Sequence, residues 1–209
     1  MSINKIKVIV FDLGNVLVKI DYRPFLVHTG LYGKFSEEKV YNLLENPAIA
    51  YERGKLSSHE FYKETMRMLQ IDIDYEKFVH AWCSVATGLV ENIGEVVSAL
   101  ARQYPLYLLS NTNELHLHHI KKNYPILENF QRLFLSYKIG VMKPDDEIFR
   151  FMLNELEMEP EEIFFTDDKL SNVESAIALG IDAVHFQSTS ELRKVFTRKH
   201  ILKSPEIYK

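Results

Sequence analysis

Five short stretches of the chain are apolar, interrupted only by Lys7 and His185, and rich in β-branched or aromatic residues: Ile6–Phe11, Leu106–Leu109, Leu133–Leu135, Ile163–Phe165 and Ala183–Phe186. Each is bounded by polar or turn residues. Runs of this length without polar alternation predict strands buried on both faces, as in parallel sheets. Between them apolar residues recur at helical spacing: Ile93, Val96, Val97 and Leu100; Ile148, Met152, Leu153 and Leu156; Val173, Ala176 and Ile177, stopped by Gly180. Strand alternating with helix predicts an α/β fold, a doubly wound, Rossmann-like parallel sheet.

The first connection breaks this rhythm. Asp12 and Ser110, at the ends of the first two runs, stand 98 positions apart, whereas a simple crossover between neighbouring parallel strands takes roughly 30 residues. The intervening stretch has helical signals of its own. Ser57 and Glu60 form a capping box ahead of Phe61, Thr65, Met68 and Leu69, and Tyr75, Phe78, Val79 and Trp82 follow i, i+3, i+4, i+7 spacing. An all-helical cap over residues 19–89 is expected, inserted into a core of residues 1–18 and 90–209, with short hinges near 17–22 and 86–91.

Composition narrows the function. The chain has 209 residues, 46% of them hydrophobic and 26% charged, which suits one substantial core with a satellite domain. A formal net charge of -4 argues against a nucleic-acid or anionic-membrane partner and for a small molecule. Cys83 is the only cysteine, which excludes an intramolecular disulfide and suits a reducing, cytoplasmic setting. The N-terminal apolar run is interrupted by Asp12, Gly14 and Asn15, so it reads neither as a signal peptide nor as a membrane span.

In doubly wound sheets ligands gather beyond the carboxyl ends of the strands, so the polar residues just after each run are the candidates for chemistry. They are Asp12-Leu13-Gly14-Asn15, Ser110-Asn111-Thr112-Asn113, Thr166-Asp167-Asp168, and Lys143-Pro144, which follows the third run and is expected to open a helix with proline in its first turn. Singly, each has an ordinary explanation as a turn residue, a strand end or a helix cap. Together they put a carboxylate, a hydroxyl, a lysine and a carboxylate pair, in chain order, at four converging strand ends.

FDLGNV, LSNTN, the lysine-proline pair and FFTDD followed by Asn172 resemble the four motifs of the haloacid dehalogenase-like superfamily. FDLGNVLVKIDY, YERGKLS, LSNTNELH, GVMKP and FFTDDKLSNVESA further resemble the capped bacterial branch that includes alpha-D-glucose-1-phosphate phosphatases. The resemblance implies a magnesium-dependent phosphatase acting on a small phosphorylated metabolite through an aspartyl-phosphate on Asp12. It implies Mg²⁺ held by Asp12, the Gly14 carbonyl and Asp168, with Asp167 and Asn172 behind them. Ser110, Asn111 and Lys143 would bind the phosphoryl group, whose charge must be neutralised for transfer.

One position departs from the superfamily pattern: Gly14 stands where a second aspartate usually serves as general acid and base. The proton donor must then be Asp21, Glu52 or a water, or the leaving group must depart easily, as the anomeric oxygen of a sugar 1-phosphate does. Tyr51-Glu52-Arg53-Gly54 reads as a charged loop placed like the family's specificity loop, making Glu52 and Arg53 candidates for substrate contact, with Asn113 and His116 near the second motif. His116, His118 and His119 otherwise read as a solvated helix, Trp82 as cap core, and Arg193, Lys194, Arg198 and Lys199 as a wet surface. Two other readings fit the same residues: a metal-independent 2-haloacid dehalogenase with Asp12 attacking carbon, and a non-catalytic phospholigand-binding module.

Overall fold

The computed structural model describes residues 5–202. Its elements are β1 (Val8–Phe11), β2 (Val18–Ile20), α1 (Arg23–His28), α2 (Glu37–Glu52), α3 (Ser58–Leu69), α4 (Tyr75–Cys83), β3 (Ala86–Leu89), α5 (Ile93–Ala101), β4 (Leu106–Ser110), α6 (Glu114–Asn123), β5 (Arg132–Leu135), α7 (Ser136–Ile139), α8 (Asp146–Leu156), β6 (Ile163–Asp167), α9 (Leu170–Ala178), β7 (Asp182–His185) and α10 (Thr189–Arg198). The five strands expected from the apolar runs form one sheet in the order β5-β4-β1-β6-β7. All its pairings are parallel, as a doubly wound fold requires.

Alternation along the strands explains why the central run, Val8–Phe11, is apolar throughout, while the edge strands β5 and β7 admit polar residues. Ile9 and Phe11 of β1 face one side with Leu106, Leu108 and Phe164, where α5, α6 and α10 pack. Val8 and Val10 face the other with Leu109, Ile163 and Phe165, covered by α8 and α9. Successive side chains point to opposite faces, so the middle of a central strand covered by helices on both sides has no solvent-facing position for a polar residue. The expected first strand begins at Val8 rather than Ile6, and Ile177, expected on the buried face of α9, is 53% exposed. Pro144 also differs from expectation: it precedes Asp145, the N-cap of α8, and does not lie in the helix.

Helices α1 to α4 gather around an apolar cluster of their own, with Phe25, Leu44, Phe61, Phe78 and Trp82 at its centre. The capping box at Ser57 and Glu60 is formed. Trp82 packs edge-on against Phe25 at 5.8 Å and Phe61 at 4.7 Å between ring centroids. The two crossings between this insertion and the sheet are not loops. They are β2 and β3, paired antiparallel as a separate two-stranded sheet with a register irregularity between Lys19 and Ile20. No helix among the described residues is long and apolar enough to cross a membrane.

The insertion touches the core closely at Gly54, just past α2. Its φ is +67°, and a Cβ there would stand 2.2 Å from the Tyr137 carbonyl oxygen on α7. Gly30 has a similar φ of +70° with open space around it. Both sites strain an L side chain, but only Gly54 adds a collision with backbone. Gly54→Ala is therefore expected to cost at least about 1 kcal/mol more than Gly30→Ala in urea unfolding. Equal losses would mean that the approach of the insertion to α7 is not a constraint on the fold.

Candidate active site

The carboxyl ends of β1, β4 and β6 converge on the Lys143 ammonium. Lys143 Nζ donates to Asp12 Oδ1 at 2.7 Å, Asp167 Oδ2 at 2.6 Å and the Leu109 carbonyl at 2.7 Å. All three side chains are buried. The lysine is held there by Asn111, whose Oδ1 accepts from Lys143 N at 2.9 Å and whose Nδ2 donates to Lys143 O at 2.7 Å. Burial alone would lower the lysine pKa, but Asp12 and Asp167 reverse this and hold it above its ordinary value, so the ammonium stays charged.

One ammonium stands among three carboxylates here and pairs with two of them, with Lys169 also on the cavity wall. Asp12, Asp167 and Asp168 each offer an oxygen within 4.8 Å of the others. Burial pushes the Asp12 carboxyl up to about 7, with Lys143 pulling down and Asp167 pushing up. Asp167 is saturated by the protein: its Oδ1 accepts from Lys169 N and Asn172 Nδ2, and its Oδ2 from Lys143 and again Asn172. Among the described residues, Asp168 Oδ2 accepts only a 3.2 Å bond from Asn15 Nδ2. Excess negative charge on hard oxygen donors fits a small divalent cation such as magnesium. The second Asp12 oxygen and the Asp168 carboxylate are the groups that could hold it, with Gly14 beside them.

These residues line a cavity of ≈ 260 Å³ with Ser110, Asn111, Lys143 and Asn172 on its floor, and Tyr22, Tyr41 and Glu52 from the insertion. A second chamber of ≈ 470 Å³ shares Tyr22, Tyr41, Glu52 and Lys143, and adds an apolar wall of Val40, Leu44, Ile49 and Met142. Tyr22 and Tyr41 were not foreseen, because nothing in their local pattern separates a cavity-lining tyrosine from a packed one. Trp82 does pack in the insertion's cluster as expected, and it borders the second chamber as well.

Several expected residues have other duties. Tyr51 and Glu52 form the last turn of α2 and not a loop. Arg53 lies outside both chambers and pairs with Asp145 at 2.7 Å, tying the insertion to the N-terminus of α8. Asn113 is the N-cap of α6, accepting from His116 N, and is buried away from the cavity. His116 does border the first cavity, yet it is not solvated: its ring stacks on Trp82 at 4.9 Å, its Nε2 reaches the Trp82 carbonyl at 2.9 Å and its Nδ1 lies 3.1 Å from Asn113 Nδ2. Burial lowers its pKa to about 4, so it is a neutral strut between α6 and the insertion, with both ring nitrogens taken.

Fold and site together define a hydrolase built on a Rossmann-like sheet, with an acidic centre at its strand ends. The chain belongs to the haloacid dehalogenase-like hydrolases, which it matches over residues 6–180. A D-ribitol-5-phosphate phosphatase of Bacteroides thetaiotaomicron is 28% identical over 207 residues, spanning 92% of this chain and 97% of that one. A crystal structure of a haloacid dehalogenase family enzyme from that species superposes with TM-score 0.82 at 27% identity, over 91% of this chain and 98% of that one. Its wild-type complex with magnesium and inorganic phosphate gives 0.76 at 26% identity, over 91% and 99%.

Removing the bridging ammonium leaves two buried carboxylates facing each other without a counter-charge. Lys143→Met is expected to lower the unfolding free energy by about 3 kcal/mol in metal-free urea titrations. A loss below about 1 kcal/mol would show that the carboxylates do not depend on the lysine for compensation.

Proposed function

We propose that this protein is a magnesium-dependent phosphomonoesterase for small phosphorylated sugars or sugar alcohols. The observation that carries the reading is the Asp12 carboxylate, presented at the end of the central strand to a cavity that also holds Ser110, Lys143 and Asp168. The likeness to a ribitol-5-phosphate phosphatase, and to an enzyme crystallised with magnesium and phosphate, supports both the reaction and the cofactor.

In this reading Asp12 attacks the phosphorus atom, the bond to the leaving oxygen breaks, and water then hydrolyses the aspartyl-phosphate. Lys143 carries fixed positive charge to the transferring group, and the Ser110 hydroxyl donates to one of its oxygens. Asp12, the Gly14 carbonyl and Asp168 would hold the magnesium, while Asp167 and Asn172 keep Lys143 and the strand end in place. When bound, the ion neutralises the charge of the phosphoryl oxygens. Residues 19–89 act as the cap, closing the outer wall of the cavity and excluding water during transfer.

Two narrower substrates are set against each other. The sequence resemblance favours alpha-D-glucose 1-phosphate, with its easily expelled anomeric oxygen. The curated relative favours a primary phosphate such as ribitol 5-phosphate. A panel of both, with glucose 6-phosphate and p-nitrophenyl phosphate, decides between them by kcat/KM.

Asp12→Asn is expected to retain less than about 1% of wild-type turnover with the fold unchanged, because an amide is a poor nucleophile. Chelation by EDTA should abolish activity, and Asp168→Ala should raise the magnesium concentration needed for half-maximal rate at least about tenfold. Full activity in EDTA on a 2-haloacid would favour the dehalogenase instead. Tight phosphate binding without turnover would favour the non-catalytic module.

A further inference from the structure

A primary or secondary alkoxide is a poor leaving group unless a proton reaches it as the ester bond breaks, and the water that releases phosphate has to lose a proton in turn. Four carboxyl groups line the two chambers: Asp12, Asp168, Glu45 and Glu52. Asp12 is bonded to Lys143, and with Asp168 it makes the acidic centre. Glu45 is exposed and borders only the outer chamber. Asp21 lines neither chamber, and its Oδ1 accepts from Arg23 N at 2.9 Å.

Glu52 is different on each count. It sits on the last turn of α2, borders both chambers, and faces the acidic centre from the insertion's side of the cavity. Its carboxyl makes no hydrogen bond or ion pair with any described residue, so its proton is not committed elsewhere. On the core side His116 borders the cavity, but Asn113 and the Trp82 carbonyl occupy both its ring nitrogens, which leaves it no free site for proton exchange. A Cβ on Gly14 would meet only Ile20 Cγ1 at 3.4 Å, so the backbone tolerates a side chain there, yet none is present.

We propose that Glu52 is the proton donor and acceptor of this site. The inference rests on the phosphomonoesterase reading. In the first step the Asp12 carboxylate forms a bond to phosphorus, the bond from phosphorus to the leaving oxygen breaks, and the Glu52 proton moves to that oxygen, releasing an alcohol. In the second step the Glu52 carboxylate takes a proton from water and the water oxygen bonds to phosphorus. The bond to Asp12 then breaks, restoring both carboxyl groups and yielding inorganic phosphate. Burial supports this role by pushing the Glu52 carboxyl up to about 7, with Lys169 and Lys143 countering from the core. The phenols of Tyr22 and Tyr41, which border the same cavity, are the other titratable groups facing it from the insertion.

The test compares wild type with Glu52→Gln, in magnesium, on p-nitrophenyl phosphate and on the fastest alkyl phosphate of the panel above. A nitrophenolate departs without help, so kcat/KM for the aryl ester is expected to fall less than about tenfold, while that for the alkyl ester falls at least about 100-fold. Because the water step also loses its base, the variant should release a burst of nitrophenol equal to the enzyme present and then turn over slowly. Glu52→Asp, which keeps the acid but withdraws it by a methylene, should show the same ordering with smaller losses. Circular dichroism verifies the fold of each. Equal losses on the two esters, or a change confined to KM, would overturn the role. Absence of wild-type turnover on every ester would instead overturn the phosphomonoesterase reading.

Discussion

The ammonium of Lys143 lies between carboxylates from two strands and a backbone carbonyl from a third, and the rest of the site depends on that convergence. Taking such charges out of water costs several kcal/mol per ion, recovered only when geometry and further hydrogen bonds are good. Here they are: the lysine donates three bonds, and Asp167 accepts from three separate groups. The arrangement needs β1 in the middle of the sheet with β4 and β6 on either side, which the parallel order supplies. It also needs the chain after β5 to return over the strand ends, and the two bonds from Asn111 to the Lys143 backbone fix that return. The negative charge left over is what suits the site to a cation.

The two halves of the cavity divide the chemical work. The core supplies fixed charge on a rigid sheet, where small displacements would spoil the alignment. The insertion supplies Tyr22, Tyr41, Glu52 and an apolar wall, and it is positioned by Arg53 with Asp145, by Gly54 against Tyr137 and by His116 stacked on Trp82. A carboxyl carried on a separate helical layer can remain without a partner and largely buried, whereas the same group beside Lys143 would be drawn into the ion pairs.

Much of this was legible in the sequence, for identifiable reasons. Strands buried on both faces leave an unbroken apolar record, and ligands at the ends of parallel strands make the residues after each run informative. Asp12, Ser110, Lys143 and Asp168 were found that way and share one cavity. β2 and β3 were missed because strands of three and four residues, half exposed, have no periodicity to detect. The end of α2 reads as a loop in the sequence because its charges and Gly54 stand just ahead of the next helix, whereas α2 in fact continues to Glu52. Asn113 and Arg53 looked functional by their position, but cap formation and a surface ion pair are decided by neighbours distant in sequence or by backbone direction, neither of which a local pattern carries.

The antiparallel pairing of β2 with β3 has a further consequence. Because Ile20 lies opposite Ala86, the chain leaves and re-enters the core at adjacent points, and a tight turn of two to five residues suffices to join such partners. Everything from residue 21 to residue 85 is thus topologically a side branch, whose removal or exchange leaves the path of the sheet uncut. A lineage built on this scaffold can replace the whole branch in one genetic event while its acidic centre persists, so that substrate range and the source of the proton change together, on a schedule separate from that of the nucleophile.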